Sequence, residues 1–174
     1  AITRQFPEVA WQRCQFHFKK NILDYAPDRY RQGLSDELTE MFNAKNIKEA
    51  RKKRDEIIKD YRDVAEKAMN CLDEGFESAM TVMELPVYLR KYFRTSNQIE
   101  RLNKELKRRS RVIGIFPNEK SLMRLMGSVL VERNEILSCG RKVFSVETFN
   151  KIFTRELNGK LMKIALEQKQ LLAA

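Results

Sequence analysis

The sequence offers few side chains that could take part in catalysis, and one of them is a glutamate beside a run of basic residues. In the segment TSNQIERLNKELKRRSRVIG, residues 95–114, Glu100 lies ahead of the cations Lys104, Lys107, Arg108, Arg109 and Arg111. A carboxylate next to cations could bind a metal ion and position a phosphate at the same time. The same arrangement is also common at the start of a helix, where an acidic side chain favours the positive end of the helix dipole.

Local rules alone favour a structural role for Glu100. Asn97 is a good N-cap residue, and Glu100 lies three positions later, as the acidic member of a capping box does. Glu100 also precedes Lys104 by four residues, a spacing at which opposite charges stabilise a helix. A helical projection nevertheless groups Glu100 with Asn103 and Lys107 beside an apolar stripe. The residue types therefore favour the helix cap and leave the functional interpretation open.

Cys14 and His17 form a C-x-x-H pair, and His17 is the only histidine in the sequence. A zinc site needs about four nitrogen or sulfur ligands, and Cys71 and Cys139 lie in predicted helices without metal-site spacing. A Cys–His nucleophile pair would need a third group to orient the base. The residues alone therefore favour a buried cysteine beside a hydrogen-bonded histidine. Three well-separated cysteines also predict reduced thiols.

The positive charge of the chain is concentrated in one short segment. The formal net charge is +10, and residues 90–124 contain 11 basic and 3 acidic residues. Such a concentration of positive charge is typical of a surface that binds a polyanion, because each neutralised phosphate releases condensed counterions. A solvated basic face that only aids solubility is the alternative.

Composition excludes several classes of protein. The 174 residues are 43% hydrophobic and 33% charged, which is typical of a folded globular chain. No apolar run approaches the roughly 18 residues that a membrane span needs. The first residues have neither the basic nor the apolar region of a signal peptide. We therefore expect a soluble, intracellular, cytoplasmic protein with no membrane partner.

Helical periodicity dominates the sequence after about residue 28. Predicted helices cover about 29–44, 46–72, 76–85, 87–93, 97–111, 118–137 and 145–172. Gly114 and Pro117 are expected to end the fifth of these helices, Asn118 is expected to cap the sixth, and Gly159 weakens the last. These patterns predict a mainly α chain.

Residues 8–18 are the one convincing strand, because Cys14, Phe16 and Phe18 alternate with polar side chains. A lone strand needs neighbours to satisfy its backbone hydrogen-bonding groups. Three explanations are open: the segment is not a strand, the chain belongs to a larger sheet protein, or strands pair between two copies.

Two blocks of the sequence are distinctive: FPEVAWQRCQFHFKKNIL and, about eighty residues on, TSNQIERLNKELKRRSRVIGIFPNEKSLMRL. Together they resemble the transposases of the Mutator-like bacterial insertion-sequence family. The family has a ribonuclease H-like catalytic fold with a DDE triad, a C-x-x-H motif after the second aspartate, and a helical insertion before the final glutamate. The resemblance covers roughly residues 1–138, and both blocks match in order and spacing. It implies the C-terminal part of a ribonuclease H-like α/β transposase.

The resemblance also assigns roles to individual residues. It implies that Cys14 and His17 are the C-x-x-H motif and that Glu100 is the glutamate of the triad. The two aspartates would precede Phe6, in strands that this sequence does not contain. The implied segments are a last strand region of the catalytic core (1–19), an all-helical insertion (20–93), closing helices of the core (94–138) and a C-terminal helical extension (139–174).

The implied activity of the intact protein is DNA transposition by metal-dependent strand cleavage and transfer. Three carboxylates, Glu100 among them, would hold Mg²⁺ or Mn²⁺. Because one carboxylate cannot hold the metal pair, we expect this chain alone to bind no metal and to cleave no DNA. The implied partner is transposon-end DNA, and the intact transposase is expected to be a homo-oligomer.

The basic segment 90–124 provides the predicted DNA contacts: Arg101, Lys104, Lys107, Arg108, Arg109 and Arg111. Asn97 and Asn103 would orient Glu100 or touch the DNA backbone. A competing interpretation is a non-catalytic helical module that binds nucleic acid or another protein.

Overall fold

The computed structural model describes residues 5–140, 145–152 and 154–171. The α-helices are α1 (Gln15–Asp24), α2 (Asp28–Phe42), α3 (Ile47–Tyr61), α4 (Glu66–Met80), α5 (Val87–Phe93), α6 (Asn97–Ile113), α7 (Glu119–Cys139), α8 (Val146–Ile152) and α9 (Arg155–Leu171), and a 3₁₀ helix, Thr81–Glu84, follows α4. The described ranges contain no strand, and the prediction of a mainly α chain is confirmed. Within those ranges, no helix is both long enough and apolar enough to cross a membrane.

The predicted strand over residues 8–18 is wrong. Its first part is irregular, and its last four residues begin α1. The Arg13 amide donates to the carbonyl of Ser78 at 2.8 Å, and the Trp11 amide donates to the side-chain oxygen of Gln168 at 3.0 Å. Backbone groups that a sheet would satisfy are therefore satisfied by α4 and α9.

α1 buries residues at helical spacing instead of alternate residues. Gln15, Phe18 and Ile22 face the core, whereas Phe16 is 64% exposed. The Phe18 ring passes so close to α4 that a Cβ added at Gly75 would lie 2.2 Å from it. The glycine thus allows the two helices to approach closely.

Two glutamine side chains attach the irregular segment to the end of α4. The amide nitrogens of Gln12 and Gln15 both donate to the carbonyl of Ala79, at 2.7 and 2.8 Å. The Gln12 oxygen accepts from the Val82 amide at 2.6 Å, and the buried Gln15 oxygen accepts from Arg94 at 2.8 Å. These bonds satisfy the buried polar groups and fix the segment that carries the C-x-x-H pair.

The chain divides into two units, residues 1–95 with 152–174 and residues 96–151. In the first unit α1 packs on α4, α2 packs on α3, and α3 packs on α4. The largest fully buried side chains of its core are Phe18, Ile22, Leu34, Leu38, Met41, Met69, Leu72, Phe76 and Leu89.

Two long predicted helices are each interrupted in the structure. The run 46–72 is divided between α3 and α4 by a turn in which the Val64 and Ala65 amides both donate to the carbonyl of Tyr61. No glycine or proline marks this turn, and the apolar stripe continues through it in phase. The run 145–172 is divided between α8 and α9, and Gly159 lies inside α9. Residues 153 and 172 of that prediction lie outside the described residues.

In the second unit α6 packs against α7. α6 ends at Gly114, whose φ of +73° is a conformation that glycine adopts without strain. Asn118 caps α7 as predicted, because its side-chain oxygen accepts from the Ser121 amide at 2.9 Å. These two signals define the connection between the helices.

Candidate nucleic-acid interface

The first turn of α6 differs from the predicted capping box. The N-cap residue is Ser96, and Asn97 is the first helical residue, which places Glu100 at the fourth helical position. The amide of Glu100 donates to the carbonyl of Ser96 at 3.0 Å, and the Ser96 hydroxyl donates to the Glu100 carboxylate. The capping-box prediction is wrong because the helix begins one residue earlier. The Glu100 carboxylate therefore accepts a hydrogen bond from the side chain of the N-cap residue.

Glu100 shares one face of α6 with three cations. At 3.6 residues per turn, Lys104, Lys107 and Arg111 fall within about 40° of Glu100 around the helix axis. All four residues are exposed. The distance along the axis from Lys104 to Arg111 is about 10 Å, which corresponds to roughly three phosphates of one B-DNA strand. We call Lys104, Lys107 and Arg111 the basic stripe.

A shallow depression lies beside the basic stripe, within the second unit. Its cations are Arg101, Lys104, Lys107, Arg108 and Arg111 of α6 and Arg133 of α7. Glu100, Asn103 and Glu105 complete its lining. The depression therefore contains six cations and two carboxylates, an excess of positive charge that favours an anionic ligand.

Arg108 and Arg109 are held by carboxylates that the sequence analysis did not single out. Glu105 accepts hydrogen bonds from Arg108 at 2.7 and 2.8 Å and from Arg109 at 2.9 Å. The two guanidinium groups lower the pKa of Glu105 to about 2. Arg109 also reaches both oxygens of Glu132 in α7 at 3.2 Å. The i, i+3 and i, i+4 spacing from Glu105 was a usable sequence signal.

The remaining cations of the depression have no carboxylate partner of this kind. In the described part of the chain, no recorded ion pair involves Arg101, Lys104, Lys107, Arg111 or Arg133. Their charges are therefore not compensated by a direct ion pair. Asn97 and Asn103, which the sequence predicted to support the site, are also exposed on α6.

Cys14 and His17 belong to the first unit. Cys14 is the N-cap of α1 and is half-buried, and His17 is exposed, with its ring edge-on to Phe16 at a centroid distance of 5.3 Å. The residue types favoured a buried cysteine, whereas Cys14 is only half-buried at the N-terminus of α1. Among the described residues, Cys14, Cys71 and Cys139 form no disulfide bond.

The chain is thus a mainly helical protein with one strongly cationic surface. Residues 1–138 match the family described as "Transposase, Mutator family". The chain belongs to the Mutator family of transposases. The resemblance inferred from the two sequence blocks is confirmed.

Curated relatives of the chain are named as transposases of insertion sequences. The chain is 36% identical over 137 residues to the transposase for insertion sequence element IS256 in transposon Tn4001 from Staphylococcus aureus, a match that covers 78% of this chain and 35% of that protein. It is 33% identical over 135 residues to the ISRM5 transposase of Rhizobium meliloti, with 78% and 34% covered. It is 34% identical over 140 residues to the IS406 transposase of Burkholderia multivorans, with 78% and 35% covered. The chain therefore spans about a third of the length of these relatives.

Proposed function

We propose that the chain is part of a DNA transposase and binds DNA phosphates through the cationic surface of α6. The observation that carries the proposal is the basic stripe, in which three exposed cations without carboxylate partners are aligned along one helix face. Lysine and arginine contacts to phosphates position a protein on DNA without reading its sequence. Membership of a transposase family supports DNA as the polyanion.

We propose further that Glu100 is the carboxylate that this chain contributes to strand cleavage and transfer in the whole protein. That protein is expected to have a ribonuclease H-like core with a DDE triad and to act on transposon ends as a homo-oligomer. Two triad aspartates from outside this sequence would complete the site. This chain alone is expected to be inactive, because a single carboxylate cannot hold a metal pair.

The chemistry of Glu100 is compatible with a divalent metal. A carboxylate oxygen is the ligand type that Mg²⁺ and Mn²⁺ prefer, and the Ser96 hydroxyl bonded to Glu100 would orient it. Glu105, the other carboxylate of the depression, is already paired with two arginines. When bound, the metal ions would activate a water or 3′-hydroxyl nucleophile and stabilise the leaving oxygen.

A salt titration of DNA binding tests the proposal on the chain itself. If the five cations of α6 that line the depression each contact a phosphate, a plot of log affinity against log salt concentration should have a slope of about −4.5. Between 50 and 200 mM salt, the affinity for duplex DNA would fall on the order of 10²- to 10³-fold. Fluorescence anisotropy of a labelled duplex measures both quantities. A flat salt response, or no binding at low salt, would favour a protein-interaction module instead.

A further inference from the structure

We propose that Arg133 of α7 is a DNA phosphate contact, so that the interface extends from α6 onto α7, whereas Arg109 joins the two helices and does not contact DNA. The inference deepens the proposed DNA binding and rests on it. The contacts of each cation, and not its position in the sequence, determine whether it is assigned to DNA binding or to the link between the helices.

Arg133 is remote in sequence from the basic segment of α6 but lies beside it in space. Its side chain lines the same depression as Arg101, Lys104 and Arg108. Arg133 is exposed, and no ion pair of the described residues involves it. A phosphate in the depression could therefore be reached from α7 as well as from α6, without first breaking an ion pair of Arg133.

Arg109 has the opposite environment, although it belongs to the basic run of α6. Its side chain is only 39% exposed, and it bonds Glu105 at 2.9 Å and Glu132 at 3.2 Å. It is absent from the lining of the cationic depression. The charge of Arg109 is already compensated by two carboxylates, one of which connects α6 to α7, and a phosphate would have to compete with both. Its place in the structure is therefore that of a link between helices.

Arg108 is intermediate between these two cases. It lines the depression, but its guanidinium donates two hydrogen bonds to Glu105 in a fork. A guanidinium has five N–H donors, so Arg108 retains donors for a phosphate while it holds Glu105. Because the arginines lower the pKa of Glu105 to about 2, its carboxylate is ionised at neutral pH and can hold Arg108 there.

The test compares Arg133→Ala with Arg124→Ala, two substitutions that each remove one exposed arginine from α7. Arg124 lies outside the depression and serves as the matched control. Arg133→Ala should make the salt slope shallower by about 0.9 and weaken binding at 0.1 M salt on the order of 10-fold. Arg124→Ala should leave the slope unchanged. Arg133→Lys should restore the slope, because it keeps the charge.

Arg109→Ala tests the second half of the proposal. It should lower the thermal stability of the chain and leave the salt slope unchanged at a temperature where the variant is folded. Glu132→Gln, which disrupts the same link without removing a cation, should also lower the stability. A wild-type slope in Arg133→Ala, or a slope loss in folded Arg109→Ala, would overturn the inference. Salt-independent behaviour of the wild-type chain would instead refute the proposed DNA binding itself.

Discussion

Replacement of the basic stripe by alanine, in the triple variant Lys104→Ala, Lys107→Ala and Arg111→Ala, is expected to weaken duplex DNA binding on the order of 10²- to 10³-fold at 0.1 M salt. The salt slope should become shallower by about 2.7, since each lost phosphate contact removes about 0.9. The physical reason is the release of fewer counterions when three exposed cations are removed. Fluorescence anisotropy across a salt series measures the affinity and the slope together.

The matched control removes the same charge from the first unit. Lys48, Lys59 and Lys67 are exposed residues outside the second unit, and their replacement by alanine also changes the net charge by three. If binding depended only on long-range attraction between a basic chain and DNA, the two triple variants would lose the same affinity. A similar loss in both would therefore contradict a localised interface on α6.

Phe18→Ala is expected to reduce the free energy of unfolding of the first unit by about 3 to 5 kcal/mol, whereas Phe16→Ala should change it by less than about 0.5 kcal/mol. The Phe18 side chain is fully buried, and Phe16 is 64% exposed. Urea denaturation followed by circular dichroism gives both values. The comparison of the two variants distinguishes a helix from a strand, because a strand would place Phe16 and Phe18 on the same buried face. Equal losses in the two variants would contradict the helical assignment of α1.

The misassignment of residues 8–18 shows where short-range patterns fail. Alternation over Cys14, Phe16 and Phe18 satisfies the strand rule locally, but tertiary contacts determine the structure. Phe18 fits against Gly75 of α4, and the backbone amides of Trp11 and Arg13 donate to groups of Gln168 and Ser78 that are distant in sequence. β-propensity largely reflects such an environment, so a short alternating pattern does not by itself specify a strand.

The helix that carries the candidate site was predictable because its signals are local. The amphipathic period of α6, the glycine at its end and the asparagine cap of α7 all lie within the segment they define. The basic stripe follows directly from that period. Glu100 was correctly placed in the first turns of α6, although the cap is Ser96 and not Asn97.

The ion pairs around the stripe were not predictable in full. Glu105 could have been found from its spacing to Arg108 and Arg109. The contacts of Glu132 and Arg133 depend on how α7 packs against α6, which helical periodicity does not specify. Sequence reasoning therefore identified the cations of one helix but could not determine which of them were already paired.

The most direct measurement of the central claim is DNA cleavage by a protein of the relatives' full length that contains this chain with Glu100→Gln. The substitution keeps the size of the side chain and removes its charge. We expect Mg²⁺-dependent cleavage of transposon-end DNA to fall by roughly 100-fold or more. Substitution of a group that only supports a metal ligand lowers activity by up to about 100-fold, and loss of the ligand itself should cost at least as much. DNA affinity should be maintained, since the basic stripe is intact.

Glu119→Gln is the control, because it removes an exposed carboxylate from the first turn of α7 without touching the depression. It should leave both cleavage and binding at the wild-type level. Loss of cleavage with retained binding in Glu100→Gln alone is the result expected of a catalytic carboxylate. Cleavage by Glu100→Gln at the wild-type rate would contradict the catalytic role of this residue.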